Sequence, residues 1–311
     1  MVTPASGNAP VVVVEDLRKD YGSVRAVDGL SFTIEPGEVF AMLGPNGAGK
    51  TTTVEILEGH RRRSSGSVRV LGMDPETGGR AFRERIGIVL QEAGFDEEFS
   101  VRELVSMYSQ LYPRHRRIDE VIERVGLADK AKARTKTLSG GQRRRLDLAL
   151  GLIGDPELLF LDEPTTGFDP SARRRAWDLV ASLRDLGTTI VLTTHYMEEA
   201  EHLADRVAVI QSGRLIAMDT PANLVSQGGA EAIISFGLPE GVGPEELPTV
   251  GVSEPRTHGT RIDIGSSNPT RDLNTLTAWA VERMIELEGL TMSRPTLEDV
   301  YLDLTQEHGR V

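Results

Sequence analysis

The sequence predicts an α/β fold with a parallel-sheet core, followed by a small C-terminal α+β domain. Three observations carry that prediction. Short apolar runs of strand length alternate with helical stretches through most of the chain, the pattern of strands joined by crossover helices. One such run, residues 39–43, leads directly into a glycine-rich turn and a helical stretch. After Gln227-Gly228-Gly229 the composition changes: from Glu231 onward 14 acidic residues face 6 basic ones, a net of −8, while the preceding residues carry a net of −4. Domains are therefore set at 1–10 (a disordered start), 11–228 and 229–311, with a helical subdomain inserted at about 95–150.

The elements follow in order. Residues 11–17 are a β-branched run, Asp20-Tyr21-Gly22 a turn, and 30–34 alternate as a strand. Pro36-Gly37 turns the chain into the buried strand 39–43, and 50–57 form a helix ending near Gly59. Residues 99–125 hold apolar positions at helical spacing without glycine, and 140–151 form a further helix. Strands are expected at 158–161, 189–193 and 207–210, the last closed by Ser212-Gly213. In the tail, 233–236 and 261–264 are short strands. Asn268 and Pro269 open a helix as N-cap and first residue, with Leu273, Leu276, Ala280 and Met284 as its apolar stripe. A last helix starts at Thr296, paired with Asp299, and buries Leu297, Val300, Tyr301 and Leu304. Both stripes are expected to pack within this small domain.

Composition removes several function classes. With a net charge of −12 over 311 residues, the chain lacks the basic face that phosphate neutralisation on nucleic acid requires. The arginine runs 61–63, 143–145 and 173–175 are expected to be solvated or dimer-facing. With no cysteine there are no disulfides, thiolate metal sites or cysteine nucleophiles. The opening MVTPASGNAP lacks the basic region and apolar run of a secretory signal, and no stretch approaches 18 apolar residues.

Three motifs carry chemistry. Gly44-Pro45-Asn46-Gly47-Ala48-Gly49-Lys50-Thr51 satisfies GxxxxGK[ST]. Its glycines let successive N–H groups turn inward as a nest for phosphate oxygens, at the start of a helix whose dipole favours anions. Lys50 should reach the β- and γ-phosphates, and the Thr51 hydroxyl should ligate Mg²⁺. LLFLDE, residues 158–163, ends an apolar strand in two carboxylates. Asp162 falls near the metal, and Glu163 falls where it can polarise a water for phosphoryl transfer. LSGGQ, residues 138–142, offers the Gly140 and Gly141 amides and the Ser139 hydroxyl at another helix start. That is a second anion half-site with no role in the chain's own phosphate loop, so two copies should pair head to tail around two ATP molecules.

With these motifs in this order, residues 11–228 resemble the nucleotide-binding subunit of an ATP-binding-cassette (ABC) transporter. The resemblance implies a P-loop NTPase fold: a parallel-sheet core, an antiparallel β subdomain and an inserted α-helical subdomain. It implies ATP and Mg²⁺ as cofactors, and nucleotide contacts from Gly44 to Thr52, including Thr52 itself, and from Ser139, Gly140, Gly141 and Gln142. Tyr21 matches the aromatic that stacks on adenine, and Gln91, in GIVLQE, the glutamine that touches the metal and faces the membrane partner. Asp169, in GFDP, matches the loop that crosses the dimer interface beside Ser139 and Gly141. His195, in VLTTHY, matches the histidine that contacts the γ-phosphate, so Lys50, Glu163 and His195 form the catalytic set. Phe168 stands where the family usually has leucine.

The stretch SGGQRRRLDLALGLIGDPELLFLDEPTTGFDP and the ending LEDVYLDLT are similar to the daunorubicin-resistance branch of multidrug exporter ATPases. That branch implies an ATPase at the cytoplasmic face of the membrane, held there by a separately encoded ABC-2 type permease, exporting drugs or other amphipathic compounds. The competing readings are a soluble ABC-type ATPase acting on DNA or ribosomes and a non-catalytic ATP-gated module. The first normally carries coiled coils, zinc motifs or two cassettes, none of which is visible, and Glu163 and His195 weigh against the second.

Overall fold

A computed structural model describes residues 9–89, 94, 98–184, 187–227, 229–238, 242–252 and 255–308, without the side chains of 258 and 303–308. The chain divides into two compact units, Met1–Thr220 and Pro221–Val311. The expected disordered start lies, through residue 8, outside the described residues.

The first unit opens with β1 (Val12–Tyr21) and β2 (Val24–Ile34). They form a hairpin in which Tyr21 pairs with Val24 and Asp20 with Arg25, so Asp20 and Tyr21 belong to the strand and not to the turn. Then come β3 (Val39–Leu43), α1 (Lys50–Leu57), β4 (Ser65–Val70), α2 (Gly79–Arg83) and β5 (Ile86–Val89). Three helices follow: α3 (Val101–Ser109), α4 (Ile118–Arg124) and α5 (Gly140–Leu152). Pro113 lies between the first two, so the stretch expected to be helical from 99 to 125 is two helices. The chain continues through β6 (Leu158–Asp162), α6 (Pro170–Arg184), β7 (Thr189–Thr194), α7 (Met197–Leu203), β8 (Arg206–Gln211) and β9 (Arg214–Asp219).

These strands form two sheets. One is antiparallel, in the order β2-β1-β4. The other has the order β5-β6-β7-β3-β8-β9 and is parallel except for the β8–β9 hairpin. Every residue of β3 is buried, as expected of a central strand covered on both faces. One apolar core joins the sheets, with Phe32 of β2 stacked on Phe40 of β3 at 5.3 Å between ring centroids. Because the strands of the parallel sheet point the same way, the carboxyl ends of β3, β6 and β7 come together at one sheet edge, where ligands bind in such folds.

Helix α5 packs against β5, with its residue Gly151 close to Gly87 of the strand. A Cβ on Gly87 would sit 2.2 Å from the Gly151 carbonyl, and one on Gly151 would sit 2.7 Å from Val89. The Gly151 main chain therefore requires glycine at position 87, while a side chain at 151 would have to displace the Val89 methyl.

The second unit contains α8 (Pro221–Gln227), β10 (Ala232–Gly237), β11 (Arg256–His258), β12 (Arg261–Ser266), α9 (Pro269–Glu282), β13 (Glu288–Ser293) and α10 (Leu297–His308). Its sheet, β11-β12-β10-β13, is antiparallel. Ile234, Phe236, Ile262, Ile264 and Leu276 form its core. Asn268 caps α9 by accepting the Arg271 N–H, and Thr296 donates to Asp299 ahead of α10. Met284 departs from expectation. The helix ends at Glu282, Met284 turns into a positive φ of 53°, and its side chain is 94% exposed. The buried stripe therefore stops at Ala280.

Candidate functional site

The loop between β3 and α1 builds the first half of the site. Gly47 and Gly49 have φ of 81° and 100°, angles that favour glycine, and a Cβ on Gly47 would meet nothing within 4 Å. The loop therefore presents main chain to open space. Gly44 and Ala48 are buried beneath it, and Ala48 donates its N–H to the Pro45 carbonyl at 3.1 Å. Lys50, 4% exposed, folds back so that Nζ donates to the carbonyls of Gly44 (2.8 Å) and Pro45 (3.1 Å). Burial pushes its ammonium pKa down, and the charges of Glu163 and Asp162 oppose this. A cavity of about 400 Å³ is lined by Asn46, Gly47, Gly49, Lys50, Thr51 and Thr52, together with Ala26 and Glu163.

The ends of β6 and β7 supply the second part. Register pairs Asp162 with Thr193. The Thr193 hydroxyl donates to Asp162 Oδ1 at 2.5 Å and accepts the Glu163 N–H at 3.0 Å. Thr51 Oγ1 lies 3.5 Å from the same Asp162 oxygen. Glu163 takes a φ of 46°, which costs a non-glycine residue roughly 1–3 kcal/mol and calls for anchoring. Its Oε2 accepts from Thr166 Oγ1 at 3.0 Å, and its Oε1 lies 3.2 Å from His195 Nδ1 without the angle of a hydrogen bond.

LSGGQ stands at the start of α5 as a capping box. Ser139 Oγ accepts the Gln142 N–H at 3.3 Å, and Gln142 Oε1 accepts the Ser139 N–H at 2.9 Å. A Cβ on Gly140 or Gly141 would meet nothing within 4 Å. These two glycines line a second cavity, about 530 Å³, with Arg143, Arg144, Asp147, Glu163 and residues 166–169. Lys50 and Thr51 do not line it, so LSGGQ is not brought to its own phosphate loop, and Glu163 borders both spaces. Phe168 is part of its wall. Asp169 caps α6: its Oδ1 accepts from the Ser171 hydroxyl (2.7 Å) and from the N–H groups of Ser171 and Ala172 (2.9 Å each). The Ser171 hydroxyl bond, followed by the Ala172 N–H, holds that carboxyl below its usual range.

Two predicted residues stand apart. Tyr21 is 40% exposed and does not line the phosphate-loop cavity, and its ring is approached by Lys19 Nζ at 4.9 Å and Arg61 at 5.3 Å. Gln91 lies outside the described residues.

Sequence reasoning missed three neighbours. Thr193 joins Asp162 to Glu163, as above. Glu199, fully buried, accepts from Thr165 Oγ1 (2.7 Å) and Trp177 Nε1 (3.0 Å), tying the loop after β6 to α6 and α7. Arg144, expected to be solvated or dimer-facing with its run, is only 8% exposed. Its Nε donates to the Pro164 carbonyl (3.1 Å) and its Nη2 to those of Asp162 (3.0 Å) and Glu163 (3.4 Å). The available signal was an arginine recurring on the face of α5 that carries Asp147 and Leu148, which a helical projection would have turned inward.

The arrangement suits a polyphosphate and a hard cation. The loop offers amides and an ammonium to anionic oxygens. Thr51 and Asp162 offer oxygen donors only, the preference of Mg²⁺. Among the described residues no three His, Asp or Glu cluster as a metal cage. Such an ion would complete its shell from phosphate and water.

A family model described as ABC transporter matches residues 27–166, and one described as ABC transporter domain-containing protein-like, C-terminal domain, matches 232–296. The chain is 40% identical over 309 residues to the daunorubicin resistance ATP-binding protein DrrA3 of Streptomyces coeruleorubidus, covering 96% of this chain and 97% of that one. It is 41% identical over 300 residues to the Nod factor export ATP-binding protein I of Rhizobium sp. (strain N33), covering 93% and 95%. It is 35% identical over 302 residues to the linearmycin resistance ATP-binding protein LnrL of Bacillus subtilis (strain 168), covering 94% and 97%. Among solved structures, cbiO1 from Clostridium perfringens, part of the ABC transporter complex cbiONQ, superposes with a TM-score of 0.65 at 30% identity, over 71% of this chain and 92% of that one.

Proposed function

This chain belongs to the ABC transporter family as an ATP-hydrolysing subunit, and from that premise we propose that it energises export of drugs or other amphipathic, lipid-like compounds through a separately encoded ABC-2 type permease. Support comes from the names of its relatives, which concern daunorubicin resistance, linearmycin resistance and Nod factor export. No helix among the described residues is long and apolar enough to cross a membrane, which accords with a permease on another chain. The subunit would sit at the cytoplasmic face of the membrane, held by that permease, with Gln91 facing it.

The working form is a head-to-tail pair of two copies. The observation that carries this reading is that the phosphate loop and the LSGGQ glycines line different cavities, with Glu163 bordering both. Each ATP would then lie between the Gly44–Thr52 loop of one copy and Ser139, Gly140 and Gly141 of the other, with the Asp169 loops meeting at the interface. Tyr21 would stack on the base, and Lys50 would leave its carbonyl partners for the phosphates. Thr51, Gln91 and Asp162 would hold Mg²⁺, which when bound neutralises charge on the phosphate oxygens. Glu163 would polarise the attacking water, a role worth about 10²–10⁴-fold in rate. His195, beside Glu163, would contact the γ-phosphate and keep the carboxylate aimed.

Mixing Ser139→Arg subunits with Lys50→Ala subunits tests the pairing. Each parent is expected to be inactive, while a mixed pair holds one site with both halves intact, so ATP turnover should return. A mixture as inactive as its parents would sink the head-to-tail arrangement.

A further inference from the structure

Glu163 is fixed from two sides. Its N–H is held by Thr193, through the carbonyl oxygen at 3.2 Å and Oγ1 at 3.0 Å. On the other side, one buried guanidinium reaches three consecutive carbonyls, those of Asp162, Glu163 and Pro164. That guanidinium belongs to Arg144, in the helix that begins at LSGG. Three carbonyls in a row do not all face one point, and a planar fork with five N–H donors can span them where a lysine ammonium cannot. Asp147, on the same face three residues on, lies 3.9 Å from Arg144 Nη1. Both side chains are 9% exposed. The backbone so held includes the positive φ of Glu163, a conformation that persists only where its surroundings impose it.

We propose that Arg144 is a positioning residue for hydrolysis, holding the main chain of its own copy's Glu163 so that the carboxylate is aimed at the attacking water. The inference rests on the proposed roles of Glu163 and of the head-to-tail pair. Arg144 does not line the phosphate-loop cavity, so its loss should affect turnover more than nucleotide binding. Because it issues from the signature helix, it also joins two half-sites that serve different ATP molecules.

The test compares Arg144→Gln and Arg144→Lys with wild type and Glu163→Gln, using Mg-ATP. Both Arg144 variants should lose at least tenfold in kcat, with KM for ATP and the ATP-induced melting shift changed less than threefold, and Lys should retain more turnover than Gln. A kcat within twofold of wild type, or a parallel loss of kcat and ATP affinity, overturns the proposal. If Arg144→Gln does not fold, Arg144→Lys carries the same criterion. Mixed pairs then locate the effect. In a pair of Ser139→Arg and Lys50→Ala subunits, the one intact site uses Glu163 of the Ser139→Arg copy. Adding Arg144→Gln to that copy should abolish the restored turnover, whereas adding it to the Lys50→Ala copy should cost less than threefold. Equal losses from either copy would mean that Arg144 merely shapes the signature helix. A pair inactive before Arg144 is altered would count against the head-to-tail reading alone, and the kcat criterion would still decide for Arg144. A Glu163→Gln protein as active as wild type would remove the group that Arg144 is said to position.

Discussion

Replacing Glu58 by glutamine should reverse part of this protein's dependence on pH. Glu58 follows the last residue of α1, is 4% exposed, and has Oε2 3.2 Å from His60 Nδ1. Burial first, then the nearby charges of Asp162 and Glu55, push its carboxyl from an ordinary 4.5 up to about 8. The sign follows from proton binding. Between pH 4.5 and 8 the unfolded chain has released this proton and the folded chain keeps it, so stability is lost as pH rises through that window. At about 1.4 kcal/mol per pH unit, the loss between pH 5 and pH 8 is roughly 3–4 kcal/mol. Glutamine has the same shape and no proton to lose, so Glu58→Gln should gain that amount on wild type over the interval. In a unit of this size that corresponds to roughly 10 °C in melting temperature. The assay is thermal or urea unfolding of both proteins at pH 5, 6, 7 and 8, without nucleotide or metal. Other carboxyls with raised pKa, such as Asp147 at about 7 through burial, titrate equally in both and cancel. Stability curves that run parallel from pH 5 to pH 8 would refute the assignment of a protonated, buried Glu58.

Two further outcomes follow from the site. Lys50→Ala should abolish stabilisation by Mg-ATP, which for wild type at a hundredfold excess over Kd amounts to about 2.7 kcal/mol. An unchanged melting shift would contradict the placing of Lys50 on the phosphates. Thr193→Val keeps the buried shape but removes the hydroxyl that serves Asp162 and the Glu163 N–H. It should lower stability by about 1–3 kcal/mol and reduce turnover, to be checked by urea unfolding and phosphate release; full activity would show that the hydroxyl does not order the pair.

What was legible in the sequence was local. The Gly44–Thr51 loop, the Asp162-Glu163 strand end and the Ser139 cap each lie within a few consecutive residues, so their pattern and their geometry coincide. Thr193 and Arg144 were not legible because their partners lie 30 and 18 to 20 residues away and meet only when β6, β7 and α5 assemble. Within the arginine run, helical projection singles out the middle member as inward-facing but does not name the carbonyls it reaches. Met284 failed for a related reason. Its position continues the apolar spacing of α9, but a left-handed turn ends the helix first, and side-chain spacing does not record backbone handedness.

The contact between Gly87 and Gly151 brings the far end of α5 close against β5. The Gly151 carbonyl leaves no room for a Cβ on Gly87, and were the helix to tilt about that contact, the displacement would grow with distance along its axis. Ser139 lies twelve residues from the pivot, an arm of about 18 Å at 1.5 Å per residue, and Arg144 lies seven residues away, an arm of about 10 Å. A tilt of about 3° about that contact would move the Ser139 end by about 1 Å and the Arg144 position by about half as much. Displacements of about 1 Å at reacting groups can change rates on the order of a hundredfold. A side chain at Gly87, where a Cβ would meet the Gly151 carbonyl, is therefore expected to displace both the start of α5 and Arg144.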